Sequence, residues 1–371
     1  MNITIVGGGN IGTAMCSYIK ETDEHFITIK TSKPERWSKT ITYVDKESGA
    51  AHDFELDCIT SDPETAFANA DIIVMTLPSF MIGDAIDEME PFVKPGTMVG
   101  VVPGSGGCEF YCQELIDRGV IFFGFDRVPC VSRLETYGRK VVASKKAKTR
   151  AVAIPNSESK RVAETFANVL HMEIEPLKNY LTVTFTPSNP IVHTSRLFAM
   201  FNDITPETHI PDQILFYGAW DDLSSKTMLD CDAELHKICD ALDELDLTGV
   251  IPLSTHYEID SVEGLTRKIR SIESMNAILS PLVKVGDDYR IDLGSRYFIE
   301  DFPFGLCILK GFAEIAGVEV PTMDAILRWY EKLGNKESFV DGKFCGKDLA
   351  ATAIPQNFGI HTKEDVYRLY K

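Results

Sequence analysis

Arg296, Glu300 and Asp301 lie in "LGSRYFIEDFPFGL", a run otherwise dominated by large apolar and aromatic side chains ahead of a proline. An aspartate in such surroundings needs a cation or hydrogen-bond donors, because an ionised and unpaired carboxylate in an apolar setting is strongly unfavourable. Its partner must come from elsewhere in the chain. His193 is a candidate by position: in "TPSNPIVHTSRLF", Asn189 and Pro190 open a helix and His193 falls in its first turn. An imidazole there is suited to proton exchange near neutral pH. A satisfied structural histidine fits the same residues, and His25, His52, His171, His209, His236, His256 and His361 have no better claim. For Arg296, neutralising a substrate carboxylate or a pyrophosphate and forming an interdomain salt bridge are equal readings. Glu300 reads as a solvated or structural carboxylate, since neighbours in an extended segment point to opposite faces.

A second set of residues implies a ligand. Gly7, Gly9 and Gly12, with Asn10 and Ile11 between the last two, form G-x-G-x-x-G directly after a strand and at the opening of a helix. The first glycine allows the tight turn, the second lets a pyrophosphate approach the backbone, and the third lets helix and strand pack closely. The pyrophosphate then sits on a helix N-terminus. The second strand, "FITIK", is followed by "TSKPERW", with no acid where one would grip the ribose hydroxyls of NAD. Thr31, Ser32, Lys33 and Arg36 offer hydroxyls and positive charge instead, which leans towards NADP over NAD. The alternative is that Lys33 and Arg36 are surface residues and NAD is accepted without the acid. Leu77-Pro78 and the run Pro103 to Gly107 end two further strands, where a nicotinamide would lie, although plain turns are an equal reading of these residues.

These residues need a scaffold. Over the first 180 residues or so, "ITIV", "FITI", "DIIVMTLP", "TMVGVVPG" and "VIFFGF" read as buried parallel strands, with helical patterns between most of them. That is the doubly wound α/β class, a Rossmann arrangement. "ITYVDKESGAAHDFELDCIT" interrupts it as an inserted hairpin. Beyond Pro190 the pattern becomes long amphipathic helices, so residues 1–185 are assigned to a dinucleotide-binding domain and 186–371 to an all-helical domain.

Composition narrows the class. With 55 acidic against 37 basic residues, the net charge of -18 disfavours nucleic acid and anionic membrane surfaces as partners. Nine scattered cysteines show no metal-binding spacing and no disulfide framework, which points to a reducing cytoplasm and to no bound metal. The opening "MNITIV" starts a strand without a leader pattern, and no apolar run approaches membrane-spanning length. The expectation is a soluble cytoplasmic protein acting on small molecules; a homodimer is compatible with the sequence.

"VGGGNIG", "PERW", "ETYGRKV", "NPIVH", "RYFIEDFPFGL" and "VDGKFCGKDLAATAIPQ" together make the chain resemble the octopine/nopaline (opine) dehydrogenase family over nearly its whole length. The resemblance implies a Rossmann domain followed by a helical one, with the active site in the cleft between them. It implies reductive condensation of a 2-keto acid, pyruvate by default, with the amino group of an amino acid through an imine. On this resemblance His193 matches the catalytic histidine and Asp301 the aspartate that fixes its tautomer and raises its basicity. Asp126, in "GFDRVPC", matches an acidic position near the amino-acid pocket, though a strand-end hydrogen-bonding role is an equal reading. Arg127 beside it departs from an uncharged residue, which puts arginine as co-substrate in doubt. A ketopantoate-reductase-like or 3-hydroxyacid dehydrogenase would instead rely on a lysine, and Lys226, Lys237 and Lys268 lie on charged helix faces. A non-catalytic dinucleotide sensor is the remaining alternative.

Overall fold

The computed structural model describes residues 1–22, 24–186 and 189–371. Pro187 and Ser188, part of the punctuation in "TPSNP", lie outside the described residues. The chain divides into one compact unit of Met1–Thr186 with Tyr370–Lys371 and another of Pro187–Leu369.

The first unit is a doubly wound α/β fold. Its strands are β1 (Asn2–Val6), β2 (Phe26–Lys30), β3 (Thr40–Asp45), β4 (Ala51–Glu55), β5 (Cys58–Thr60), β6 (Ile72–Met75), β7 (Met98–Val101), β8 (Ile121–Phe125), β9 (Cys130–Thr136), β10 (Lys140–Lys145), β11 (Lys148–Ile154) and β12 (Glu173–Pro176). Eight of them form one sheet in the order β12-β11-β8-β7-β6-β1-β2-β5. All neighbours run parallel except β11 against β8. Every residue of β6, β7 and β8 is buried, because helices cover both faces of the sheet, which is why these strands read as unbroken apolar runs. Phe123 and Phe125 pack on Phe166 of the helix Ser159–Leu170.

The inserted hairpin is β3 and β4, paired antiparallel. It belongs to a second sheet, ordered β4-β3-β10-β9, in which β10 runs parallel to β3. The turn between β9 and β10 carries Tyr137 and Gly138. Gly138 has φ +66°, and a Cβ there would lie 2.9 Å from the Arg36 carbonyl oxygen and the Trp37 Cα. The second sheet is thereby pressed against the segment that follows β2.

The second unit is built on helices, among them Asn189–Phe201, Asp222–Ala241, Cys307–Ala316 and Pro321–Gly334. Two short hairpins, Leu282–Val285 with Asp288–Ile291 and Phe339–Val340 with Lys343–Phe344, are added to them. Asp221 and Ser261 cap the helices that follow them by accepting backbone N–H bonds from Ser224 and Gly264.

The segment containing Asp301 is helical, which corrects the extended reading. Arg296–Ile299 form one helical turn, Phe302–Leu306 form a π-helical turn, and Cys307–Ala316 continue as an α-helix. Pro303 has no N–H to donate, and the chain bends at Phe304, where φ is -107° and ψ 19°. The Leu306 amide reaches back 2.9 Å to the Asp301 carbonyl, closing the wider turn. Phe302 lies flat on Tyr330 with ring centroids 4.0 Å apart, and the Tyr330 hydroxyl donates to the Phe298 carbonyl.

Candidate active site

In the first unit, a cavity of about 550 Å³ opens at the carboxyl ends of β1, β2 and β6. Gly7, Gly8 and Gly9 line it, with Thr31, Ser32, Leu77, Pro78 and Tyr137. Gly7 adopts φ +106°, conformational space that a side chain would disfavour. A Cβ on Gly12 would meet the Gly7 carbonyl oxygen at 2.2 Å, so helix and strand approach as closely as only glycine allows. A Cβ on Gly9 would meet nothing within 4 Å. The space above Gly9 is therefore open, at the start of the helix Asn10–Ile19, whose first amides have no intrahelical acceptor. This is the cradle a pyrophosphate requires.

The side chains of Asn10 and Ile11 serve the fold: Asn10 Oδ1 accepts from the Leu134 amide at 2.8 Å, and Ile11 packs on the core. Thr31 is buried, its Oγ1 2.9 Å from the Tyr137 hydroxyl. Lys33 and Arg36 are exposed, and the Arg36 guanidinium stands 5.1 Å from the Tyr137 ring centroid. Lys30, Asp84 and Glu88 also line the cavity, Lys30 and Glu88 as an ion pair. Tyr137 was not singled out from sequence, although it sits in the "ETYGRKV" motif; a tyrosine in a tight turn carries no periodic signal.

In the second unit, His193 and Asp301 meet. His193 Nδ1 is 2.8 Å from Asp301 Oδ2, with the two side chains 13% and 15% exposed. Gly305 makes the approach feasible: a Cβ there would lie 2.7 Å from the ring of Pro190, one turn ahead of His193. With the carboxylate as acceptor, Nδ1 carries the proton and Nε2 is left for exchange. Nε2 in turn lies 2.7 Å from the hydroxyl of Tyr217. Burial pushes the Tyr217 phenol up, with Tyr297, Tyr257 and Asp301 adding in the same direction, so it stays a neutral hydroxyl. The Tyr297 ring stands edge-on to the imidazole at 4.7 Å.

Arg196, on the same helix as His193, is 2% exposed and holds the loop that carries Tyr217. Its guanidinium donates to the carbonyls of Phe216 and Ala219 and to the Asp221 carboxylate. Burial lowers its pKa while Asp221 opposes that shift. Neither Tyr217 nor Arg196 was anticipated: an isolated polar residue in an aromatic loop and an arginine inside an apolar helix face give no motif.

Two candidates are engaged elsewhere. Arg296 donates through Nε to Glu300 Oε2 at 2.6 Å and is 67% exposed, an i,i+4 helical ion pair that the extended reading could not foresee. Asp126 is 4% exposed and accepts from Arg150 Nε at 2.7 Å and from the Arg150 amide at 3.2 Å. That is the strand-end role. Lys226 is ion-paired with Asp230, Lys268 with Glu258, and Lys237 is exposed on its helix. Among the described residues no cluster of three or more His, Cys, Asp or Glu side chains is arranged to hold a metal ion, and no helix is long and apolar enough to cross a membrane.

A helix-start cradle open to a dinucleotide, in a chain that also holds a carboxylate-paired histidine, is the equipment of an NAD(P)-linked oxidoreductase. Residues 176–333 match the family model "NAD/NADP octopine/nopaline dehydrogenase, alpha-helical domain", and residues 2–102 match "NADP oxidoreductase coenzyme F420-dependent". The chain is 27% identical to tauropine dehydrogenase of Arabella iricolor, covering 98% of this chain and 99% of that one. A solved octopine dehydrogenase with NADH and L-arginine aligns with TM-score 0.88 at 26% identity, covering 99% of this chain and 97% of that one. Another, with NADH and pyruvate, aligns with TM-score 0.86 at 25% identity, covering 99% and 98%. Over nearly its whole length the chain is similar to octopine and tauropine dehydrogenases, and its helical part matches the octopine/nopaline dehydrogenase family model.

Proposed function

We propose that the protein is an NAD(P)H-dependent opine dehydrogenase that condenses a 2-keto acid, pyruvate by default, with the amino group of an amino acid, using His193 and Asp301 as the general acid–base pair. The observation that carries this reading is the 2.8 Å contact between Nδ1 and the Asp301 carboxylate, made by residues 108 positions apart in the chain. Asp301 holds the imidazole in the tautomer that leaves Nε2 to exchange a proton, and its charge stabilises the imidazolium once formed. Attack of the amine on the keto carbon gives a carbinolamine. Protonation of its hydroxyl lets water leave and the C=N bond form. A bound reduced nicotinamide supplies the hydride that converts the imine to the secondary amine.

Gly7, Gly9 and Gly12 with the amides of the following helix start would hold the pyrophosphate. We infer a preference for NADPH, supported by the absence of an acid directly after β2 and by the positive charge of Lys33 and Arg36 beside Thr31 and Ser32. The amino acid is not assigned: Arg150 already occupies the Asp126 carboxylate, and a cationic co-substrate would have to displace it. For Arg296, contact with a substrate carboxylate or the pyrophosphate would compete with its Glu300 ion pair.

The test is oxidation of NADPH or NADH with pyruvate and a panel of amino acids. Turnover should require both co-substrates. Turnover with the keto acid alone would mean a hydroxyacid dehydrogenase, and cofactor binding without turnover on any pair would mean a sensor. His193→Ala and Asp301→Asn should each lower kcat/KM by roughly 10²- to 10⁴-fold, with the double variant little worse than His193→Ala.

A further inference from the structure

The nitrogen that must exchange the proton is already occupied. Tyr217 Oη lies 2.7 Å from His193 Nε2, on the opposite side of the ring from Asp301. The hydroxyl is held there firmly. Tyr217 is 7% exposed, stacks on the fully buried Trp220 at an interplanar angle of 6°, and meets Phe216 edge-on at 4.9 Å. The loop around it is fixed by Arg196 through the Phe216 and Ala219 carbonyls, by Arg270 through the Trp220 carbonyl at 2.6 Å, and by the Phe216 amide on the Ile278 carbonyl. Since Arg196 is on the His193 helix, the hydroxyl and the imidazole are positioned by one element.

A hydroxyl suits both protonation states of its neighbour. It donates to Nε2 when that nitrogen bears a lone pair, and accepts from Nε2–H when the ring is an imidazolium. In the second state its own hydrogen points away from the ring. We propose that Tyr217 is a catalytic residue that relays the proton between His193 Nε2 and the reacting oxygen of the substrate. The step balances as a concerted pair of transfers. The phenol hydrogen passes to the carbinolamine hydroxyl, the carbon–oxygen bond breaks, and water leaves. The nitrogen lone pair becomes the second bond of the iminium, and the Nε2 proton replaces the one the phenol gave up. His193 ends neutral and Tyr217 ends as a hydroxyl donating to Nε2, with the positive charge now on the iminium. No tyrosinate forms, as its buried setting requires. The relay rests on the reading of His193 given above.

Single-turnover rates of condensation, measured with reduced cofactor, pyruvate and the amino acid found in the co-substrate screen, separate the two. Tyr217→Phe should slow the step by roughly 10²-fold or more while reduced-cofactor affinity is unchanged, and the double variant with His193→Ala should be no slower than His193→Ala. In mixtures of light and heavy water the wild-type rate should bend below a straight line, as two protons in flight require. Replacing Tyr217 by fluorotyrosine preserves the packing and should shift the rate with phenol acidity, which keeps the idea testable if Tyr217→Phe unfolds. A Tyr217→Phe rate within threefold of wild type, a linear dependence on heavy water, or a fluorotyrosine protein with unchanged rate would overturn the relay. Full activity in His193→Ala would instead overturn the acid–base reading itself.

Discussion

Glu109 makes a pH-dependent contribution to stability that can be worked out from its surroundings. It is 0% exposed, in the turn Cys108–Cys112 after the Pro103–Gly107 run. Thr184 and Tyr370 donate their hydroxyls to its Oε1, the latter at 2.7 Å, while Oε2 has no hydrogen-bond partner among the described residues. Burial outweighs these hydrogen bonds and raises its pKa from 4.5 to about 7. A carboxyl raised in the folded state binds its proton more tightly there than in the unfolded chain, so the unfolding free energy falls as pH rises from the unfolded to the folded value. At 1.36 kcal/mol per pKa unit, the full penalty is roughly 3 kcal/mol, most of which develops between pH 5 and pH 8. Glu109→Gln keeps the acceptor oxygen for Thr184 and Tyr370 and removes the titration. Carboxylates with depressed pKa, such as Asp365 at about 2, act in the opposite sense at lower pH and cancel in the comparison. Urea unfolding followed by circular dichroism should therefore show the variant gaining about 2 to 3 kcal/mol on the wild type from pH 5 to pH 8. A difference independent of pH would mean that Glu109 is ionised in the folded protein without penalty, and the burial argument would fail.

The glycines of the cradle separate binding from stability: Gly9→Val, where no atom stands within 4 Å, should weaken cofactor binding at least about tenfold with an unchanged melting temperature, whereas Gly12→Ala, 2.2 Å from a carbonyl oxygen, should lower the melting temperature. Calorimetric titration and thermal scans distinguish the two, and a Gly9→Val protein with normal affinity would remove the pyrophosphate from this loop. Lys33→Ala with Arg36→Ala should lower kcat/KM for NADPH and leave that for NADH unchanged; a wild type that prefers NADH would make both residues surface charges. Gly305→Ala should push Pro190 away from the π-helical turn and separate His193 from Asp301, lowering kcat by roughly 10-fold or more in a folded protein. Unchanged kcat there would show that the pair tolerates the displacement.

What was legible in the sequence follows from what a local pattern can encode. Strands covered on both faces must be apolar throughout, so β1, β2, β6, β7 and β8 announced themselves, and the glycines of the cradle are dictated by backbone geometry within a few residues. Strands β9 and β10 were unassigned from sequence because they mix exposed, half-buried and buried positions, and β10, on which β9 pairs, finds its other partner β3 nearly a hundred residues earlier. The pairing of His193 with Asp301 needed a family resemblance, since no short-range rule links residues so far apart. The reason lies in the packing that joins them. Gly305 is small because Pro190 fills the space a side chain would take, and the turn it sits in is wide because Pro303 cannot donate. Each residue looks unremarkable in its own segment, and only their complementary shapes bring the carboxylate to the imidazole. Tyr217 obeys the same logic. Its hydroxyl reaches Nε2 because a buried arginine on the His193 helix holds the Phe216 and Ala219 carbonyls, an arrangement written in volumes and hydrogen-bond directions that periodicity does not record.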